Sequence, residues 1–264
     1  MGGNDVLSGS LVLGLSDADL DVITAGTLVI GSATAGAVTV SAPISPASAS
    51  NVEIITGAGI AVNSTLTVTN NLTLTVGGAV TATSAIDANG AVLLQGITAG
   101  TSIGVGGASG TAQFAASFFT NLADGASTIT IGAAAQTGAV TVNAVTFNDP
   151  VTIRATGTGG SVTVNGQITG NSNASISLAA SSSGIFLNGN IVTSGNAITL
   201  DDGSGGSTAV VLGADVTLDT TLSAGSGNIN LLGAVNGAYS LALNSAGTTT
   251  LGAAVGGTTA LKSI

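Results

Sequence analysis

Residues 160–247 repeat one phrase four times. They read GSVTVNGQITGNSNASISLAASSSG, IFLNGNIVTSGNAITLDDGSGG, STAVVLGADVTLDTTLSAGSG and NINLLGAVNGAYSLALNSAG. Each copy holds two short runs in which apolar residues alternate with polar ones, and each ends in a Gly/Ser cluster. Alternation with a period of two is typical of a half-buried strand, and a fixed period of about 22 residues indicates a solenoid.

Two sets of equivalent apolar residues define the expected register. The last apolar residue before each Gly/Ser cluster, continued upstream, predicts one inward column: Ile131, Ile153, Leu178, Leu200, Leu222 and Leu243. A second column runs through Val142, Val164 and Leu187, and these are followed by Asn143, Asn165 and Asn188. We expect the asparagines to form an amide ladder from coil to coil, with contacts to a ligand as the alternative.

The repeat predicts an all-β fold, a parallel β-helix that forms a single rod over residues 1–264. Both joints of each repeat are open corners of Gly, Ser and Asn, so the strands of successive copies are expected to stack in register with two main strands and a short third side per coil. Gly supplies 41 of the 264 residues and aromatic residues 2%, which suits a narrow core of small branched side chains. We expect about 22 residues per coil and roughly 10–12 coils, so that twelve coils at roughly 4.8 Å would extend about 55–60 Å.

Residues 1–26 form an acidic N-terminal edge. In a strand, the alternating acids Asp17, Asp19 and Asp21 would share one face, either as a calcium site or as a solvated edge. Residues 2–9, GGNDVLSG, resemble half of the calcium-binding nonapeptide repeat of RTX proteins, and this resemblance implies calcium with Asp5 as a further ligand. We expect no cofactor, with calcium at these acids as the alternative.

Two other stretches stand out. Residues 112–126, AQFAASFFTNLADGA, contain Phe114, Phe118 and Phe119 at helical spacing. They predict either a side excursion with an apolar patch or a short helix that buries its phenylalanines against the rod. Asp201 and Asp202 are expected in a corner, where an acidic turn or an ion site would be formed.

The charge distribution excludes several classes of function. The net charge is −10, and Arg154 and Lys262 are the only basic residues, so a nucleic-acid interface is not expected. The sequence lacks Cys and His, which excludes thiolate and imidazole metal sites. The uncharged stretch 88–123 is interrupted throughout by Gly, Ser and Thr, so it does not predict a membrane-spanning helix. The N-terminal MGGNDVLSGS does not have the pattern of a secretory signal.

The C-terminal phrases GNINLLGAVNGAYSLALNSAGTTTLGAAVGGTTALKS resemble the strand repeats of filamentous-haemagglutinin-like adhesins and related bacterial exoproteins. The resemblance implies a right-handed parallel β-helix outside the cell, with a role in adhesion, stalk formation or matrix. It carries no defined functional residues.

These observations predict a non-catalytic structural or adhesive segment of an extracellular bacterial surface protein. No capping helix is expected at either end, so we expect head-to-tail stacking or flanking repeats, and surface glycans are a further possible partner. An ice-binding threonine face is the alternative. Thr141, Thr152 and Thr163 are not separated by one coil step, and this spacing counts against that alternative. A carbohydrate-active enzyme is a weaker alternative, because the acids are scattered singly.

Overall fold

The computed structural model describes residues 1–2 and 13–264. Almost all of its regular structure is β. The helices are α1 Asp17–Asp21 and α2 Ala116–Asn121. The strands are β1 Ala25–Ser32, β2 Val38–Val40, β3 Ala49–Thr56, β4 Ile60–Val62, β5 Leu66–Val68, β6 Leu72–Val76, β7 Ala79–Ala82, β8 Ile86–Ala88, β9 Ala91–Gly96, β10 Ile103–Val105, β11 Ala112–Phe114, β12 Thr128–Ile131, β13 Val140–Val142, β14 Val145–Phe147, β15 Val151–Ala155, β16 Val162–Val164, β17 Ile168–Gly170, β18 Ile176–Ala180, β19 Ile185–Leu187, β20 Ile191–Thr193, β21 Ile198–Asp201, β22 Val210–Leu212, β23 Val216–Asp219, β24 Ile229–Leu231, β25 Val235–Asn236, β26 Leu241–Asn244 and β27 Thr249–Leu251.

The strands stack in parallel as a β-solenoid, which confirms the fold predicted from the sequence. Sheet 1 has the order β1-β3-β6-β9-β12-β15-β18-β21-β24-β27, and sheet 2 has the order β2-β4-β7-β11-β10-β13-β16-β19-β22-β25. The third side is formed by β5-β8 and by β14-β17-β20-β23-β26. Ten strands at roughly 4.8 Å span about 43 Å, so the rod is shorter than twelve coils would make it.

The inward column of sheet 1 agrees with the sequence only as far as Leu200. Ile131, Ile153, Leu178 and Leu200 are paired in successive strands. The next partner of Leu200 is Leu231, and Leu222 is 56% exposed. The predicted places of Leu222 and Leu243 in this column are therefore wrong.

The reason for the error is a long coil. The chain takes 31 residues to return from position 200 to position 231, because Gly/Ser-rich corners at 202–209 and 220–228 lengthen this coil. Leu243 instead pairs with Leu218 on the third side. Side-chain alternation marks strands such as β21 and β24, but a constant period does not predict which strands pair when corner lengths vary.

The second predicted column is confirmed. Val142, Val164 and Leu187 pair in successive strands of sheet 2, and Leu212 continues the column. All four side chains are buried. The narrow interior between the sheets is filled by such Val, Leu and Ile side chains, since each strand places alternate residues inside.

The segment 97–126 inserts an additional strand into sheet 2. β10 and β11 pair with each other, and β11 pairs with β7 while β10 pairs with β13. Helix α2 follows, with Phe118 and Phe119 buried, and it contacts β7 and β14. The rings of Phe114, Phe118, Phe119 and Phe147 form successive edge-to-face contacts with centroids 5.1–6.2 Å apart. Residues 112–126 thus form a short strand and a short helix, and Phe114, Phe118 and Phe119 are buried in the core and do not form an exposed patch.

Candidate functional site

The acidic residues near the N-terminus lie on a helix, so the prediction that they share a face of a strand is wrong. Ser16 caps α1, and its backbone N–H and its hydroxyl donate to Asp19 Oδ2 at 2.9 and 2.6 Å. These hydrogen bonds lower the pKa of the Asp19 carboxyl. Asp17 and Asp21 are one helical turn apart, and they accept the N–H groups of Ser45 and Ala47 at 2.6 and 2.8 Å.

These carboxylates cover the N-terminal edge of the rod. Ser45 and Ala47 belong to the third side of the first coil, where Ile44 donates its N–H to Thr65 in the next coil. The N–H groups of Ser45 and Ala47 point away from that next coil. Asp17 and Asp21 therefore accept hydrogen bonds from donors that would otherwise pair with a preceding coil. The buried Leu20 fixes the helix against the core. The expectation that no helix caps either end is therefore wrong for the N-terminal end.

Asp17, Asp19 and Asp21, three of the four acids named in the calcium prediction, lie on α1. Asp5 lies outside the described residues. Within the part that the structure describes, no group of three or more His, Cys, Asp or Glu residues is arranged to hold a metal ion. The three carboxylates of α1 are instead hydrogen-bonded to the protein itself. A calcium ion would compete with these hydrogen bonds.

The C-terminal edge is open by comparison. β27 is the last strand of sheet 1, and residues 255 and 263 add single bridges to sheet 2 and to the third side. Leu251 is 42% exposed and Ile264 is 68% exposed, and with Val255 and Leu261 they line a mainly apolar cleft of about 480 Å³. The side chains that would form the core of a further coil are uncovered here.

The C-terminal region is also nearly uncharged. Residues 220–264 contain one basic residue, Lys262, and no acid. The backbone N–H of Ser240, and to a smaller extent the charge of Lys262, lower the pKa of the Asp215 carboxyl. The lysine therefore has an acidic neighbour on its own chain.

Sheet 1 presents a column of small polar side chains. Its register places Thr130, Thr152, Ser177, Thr199, Asn230 and Thr250 on consecutive strands, pointing outward. Thr141 and Thr163 are paired with each other on sheet 2, where Phe186 ends the run. Thr141, Thr152 and Thr163 are not one coil step apart because Thr152 lies on sheet 1 and the other two lie on sheet 2, so their spacing says nothing about the regularity of either face.

A polar cleft of about 450 Å³ opens on the outer face of the same sheet. Thr152 and Arg154 of β15 line one side, Ser177 of β18 lies on the floor, and the corner at 201–204 forms the other side, where Gly203 packs over the buried Ala179. Asp201 Oδ1 accepts the N–H of Gly203 at 2.8 Å. The corner residues Asp201 and Asp202 thus form an acidic turn, as one of the two alternatives proposed, and this turn is one wall of the cleft.

Asp124 and Asp149 form a carboxyl pair that the sequence reasoning missed. Asp149 is 1% exposed and accepts the N–H of Gly125 at 2.9 Å, while Ser172 donates to Asp124 at 2.8 Å. Burial, and next the charge and hydrogen bonding of Asp124, raise the pKa of the Asp149 carboxyl. The acids are therefore not all scattered singly. Their separation, close to one coil, was the signal that could have revealed the pair.

The asparagines form a ladder in part. Asn188 Nδ2 donates to Asn165 Oδ1 at 2.9 Å, across one coil step. The backbone N–H groups of Asn143, Asn165 and Asn188 each donate to the preceding coil. These residues stabilise the stacking at a corner of the rod.

None of the helices within residues 1–2 and 13–264 has the length and the apolar character to cross a membrane. Comparisons of the whole chain with protein-family models, with curated proteins and with solved structures find no match.

Proposed function

We propose that this chain is a non-catalytic structural and adhesive segment of an extracellular bacterial surface protein. The observation that carries the proposal is the parallel stack of coils, through which buried Val, Leu and Ile side chains continue from one coil to the next. Carboxylates of α1 occupy the N-terminal edge, whereas the C-terminal coil presents uncovered Leu251 and Ile264 beside a strand edge. A solenoid with such an edge extends by stacking another coil on it.

The partner at this edge is a coil of the same architecture, from flanking repeats or from a second copy. Charge repulsion between copies is weakest here, because all 12 acidic residues lie before residue 220. The covered N-terminal edge makes head-to-tail stacking less favourable than contact between two C-terminal edges. Two identical edges in contact form a closed pair.

Sedimentation velocity of the isolated chain tests the self-association. We expect a concentration-dependent dimer, and a Leu251→Asp/Ile264→Asp double variant should remain monomeric because it places charges in the apolar contact. Val29→Asp is the matched control, since Val29 is also exposed but lies on β1 at the other end. A chain that stays monomeric at high concentration would refute self-association, and filaments would restore the head-to-tail arrangement.

The extracellular location is tested separately. Protease treatment of intact cells that produce the protein should remove it, while an intracellular marker stays intact. If the protein is degraded only after lysis, the proposal of a surface protein is wrong.

Ice binding is a second candidate, favoured by the outward column of sheet 1 that contains Thr130, Thr152, Thr199 and Thr250. Its hydroxyl-bearing side chains repeat at the strand spacing of roughly 4.8 Å. A thermal-hysteresis measurement tests this candidate. Thr199→Tyr should abolish any hysteresis by disrupting the column, while Thr163→Tyr on sheet 2 should leave it unchanged.

A further inference from the structure

Asparagine followed by glycine is a sequence that carries a reaction of its own. The chain contains it at Asn89, Asn165, Asn188 and Asn236. When the backbone nitrogen of the glycine loses its proton, it attacks the side-chain carbon of the preceding asparagine, and the glycine has no Cβ to hinder this approach. The attack requires a backbone N–H that is accessible and free of hydrogen bonds, so the fold decides which of these sites reacts.

The first and the last of these sites are blocked by the stacking of the coils. Gly90 is buried, and its N–H donates to the carbonyl oxygen of Asn70 at 2.9 Å. Gly237 is buried as well, and its N–H donates to the carbonyl oxygen of Thr259 at 3.2 Å. The carboxamide oxygen of Asn236 also accepts two backbone N–H groups, at 2.8 and 3.1 Å. Attack at either site would first have to break a hydrogen bond between coils.

The two central sites have an available glycine nitrogen. Gly166 and Gly189 are partly exposed, and the N–H of neither makes a hydrogen bond within residues 1–2 and 13–264. Each lies in the corner that follows a strand of sheet 2, β16 in one coil and β19 in the next. The asparagines before them are exposed, so water reaches both corners.

The hydrogen bond between the two asparagines makes them unequal. Asn188 Nδ2 donates to Asn165 Oδ1 at 2.9 Å, which draws electron density away from the carboxamide carbon of Asn165. The same donor stabilises the negative charge that develops on this oxygen during the attack. Asn188 Oδ1 accepts no hydrogen bond in the described part of the chain, and it lies directly against Gly213. Asn165 is therefore the more reactive of the two.

We propose that Asn165 is a site of spontaneous deamidation in the folded protein. The nitrogen of Gly166 forms a bond to Asn165 Cγ, the Cγ–Nδ2 bond breaks, and the side-chain nitrogen leaves as ammonia with the proton that the glycine nitrogen gave up. Water then opens the cyclic imide at one of its two carbonyl groups. The product is aspartate or isoaspartate, depending on which carbonyl the water attacks.

The modification changes one corner of the rod. Either product adds a carboxylate to a chain whose net charge is already −10. Isoaspartate also directs the main chain through Cβ, which lengthens the corner between β16 and β17. Because these strands end before and begin after the corner, we expect their pairing to persist. The modified residue should therefore accumulate in folded protein as that protein ages.

Peptide mapping by mass spectrometry tests the inference, because it follows all the Asn–Gly sites in the same molecule. The full chain is incubated at mildly alkaline pH, either folded or unfolded in guanidinium chloride. In the unfolded chain the sites should react at similar rates, since they share one dipeptide sequence. In the folded chain Asn165 should react at least about 10-fold faster than Asn89 and Asn236, the factor that corresponds to breaking one hydrogen bond.

Asn188→Ala tests the contribution of the hydrogen bond to Asn165. It removes the donor and leaves the dipeptide intact, so deamidation at Asn165 should become slower by about 3-fold or more. Asn143→Ala is the matched control, because its side chain makes no hydrogen bond in the described residues, and the rate should not change. Circular dichroism verifies that both variants fold. Equal rates at Asn165, Asn89 and Asn236 in the folded chain, or no reaction at Asn165, would overturn the inference, and faster reaction in Asn188→Ala would show that the hydrogen bond protects the site.

Discussion

Truncation of Leu200 and Leu222 distinguishes the register seen in the structure from a constant repeat of 22 residues. Both leucines occupy the last apolar position before a Gly/Ser cluster, so the sequence places them in the same inward column. In the structure Leu200 is fully buried between Leu178 and Leu231, whereas Leu222 is 56% exposed in a corner. The two substitutions to alanine are chemically identical and differ only in environment.

The expected magnitudes follow from that burial. Leu200→Ala removes buried methyl groups and leaves a cavity, at a cost of roughly 2–5 kcal/mol in the free energy of unfolding. Leu222→Ala lies at an exposed position and should change the free energy of unfolding by less than about 0.5 kcal/mol. Leu200→Asp should cost more than Leu200→Ala, because it also buries a charge without a partner.

Urea unfolding followed by far-UV circular dichroism measures these differences. Hydrogen exchange then locates the effect, and loss of protection should centre on β18, β21 and β24, because each coil of a solenoid contacts only its neighbours. Equal destabilisation by Leu200→Ala and Leu222→Ala would refute the register described here. That result would instead support strand pairing at the constant period predicted from the sequence.

Three further predictions concern other parts of the rod. The raised pKa of Asp149 means that its protonated form favours the folded state, so its contribution to stability is complete below the ordinary value of 3.8 and is lost as the pH rises through the folded-state pKa. Asp149→Asn keeps an oxygen for Gly125, so the stability of this variant relative to the parent should increase over that pH range; a pH-independent difference in urea unfolding would count against the shift. Gly132 has φ +86° and an added Cβ would meet the carbonyl oxygen of Arg154, so Gly132→Ala should lower the melting temperature more than Gly159→Ala, where φ is +87° and the space is open. Equal effects would mean that backbone strain alone decides both. Chelation with EDTA should leave the melting temperature unchanged, because the described carboxylates of α1 are satisfied by the protein; a large decrease would establish a calcium site.

The sequence by itself determined the type of fold and most of the strands. Alternation of apolar and polar residues is a local property, and it identifies the inward side chains of a run such as VTV at Val162–Val164 whatever that run is paired with. The repetition of such runs between Gly and Ser corners was enough to predict a parallel solenoid. It also predicted the pairing of Ile131, Ile153, Leu178 and Leu200, where the coil lengths stay close to the repeat.

Only the tertiary structure decided which strands are partners after an irregular corner, and hence which surface residues are neighbours. The lengths of the intervening loops decide that Leu200 pairs with Leu231 and not with Leu222. They also bring Asp124 close to Asp149 and align Arg154, Ala179 and Asp201 on consecutive strands. The hydrophobic effect specifies that a side chain points inward, but it is non-directional and does not select one leucine over another along the axis. Backbone hydrogen bonds between complete coils make that selection, and they involve residues 20 to 37 positions apart in the chain.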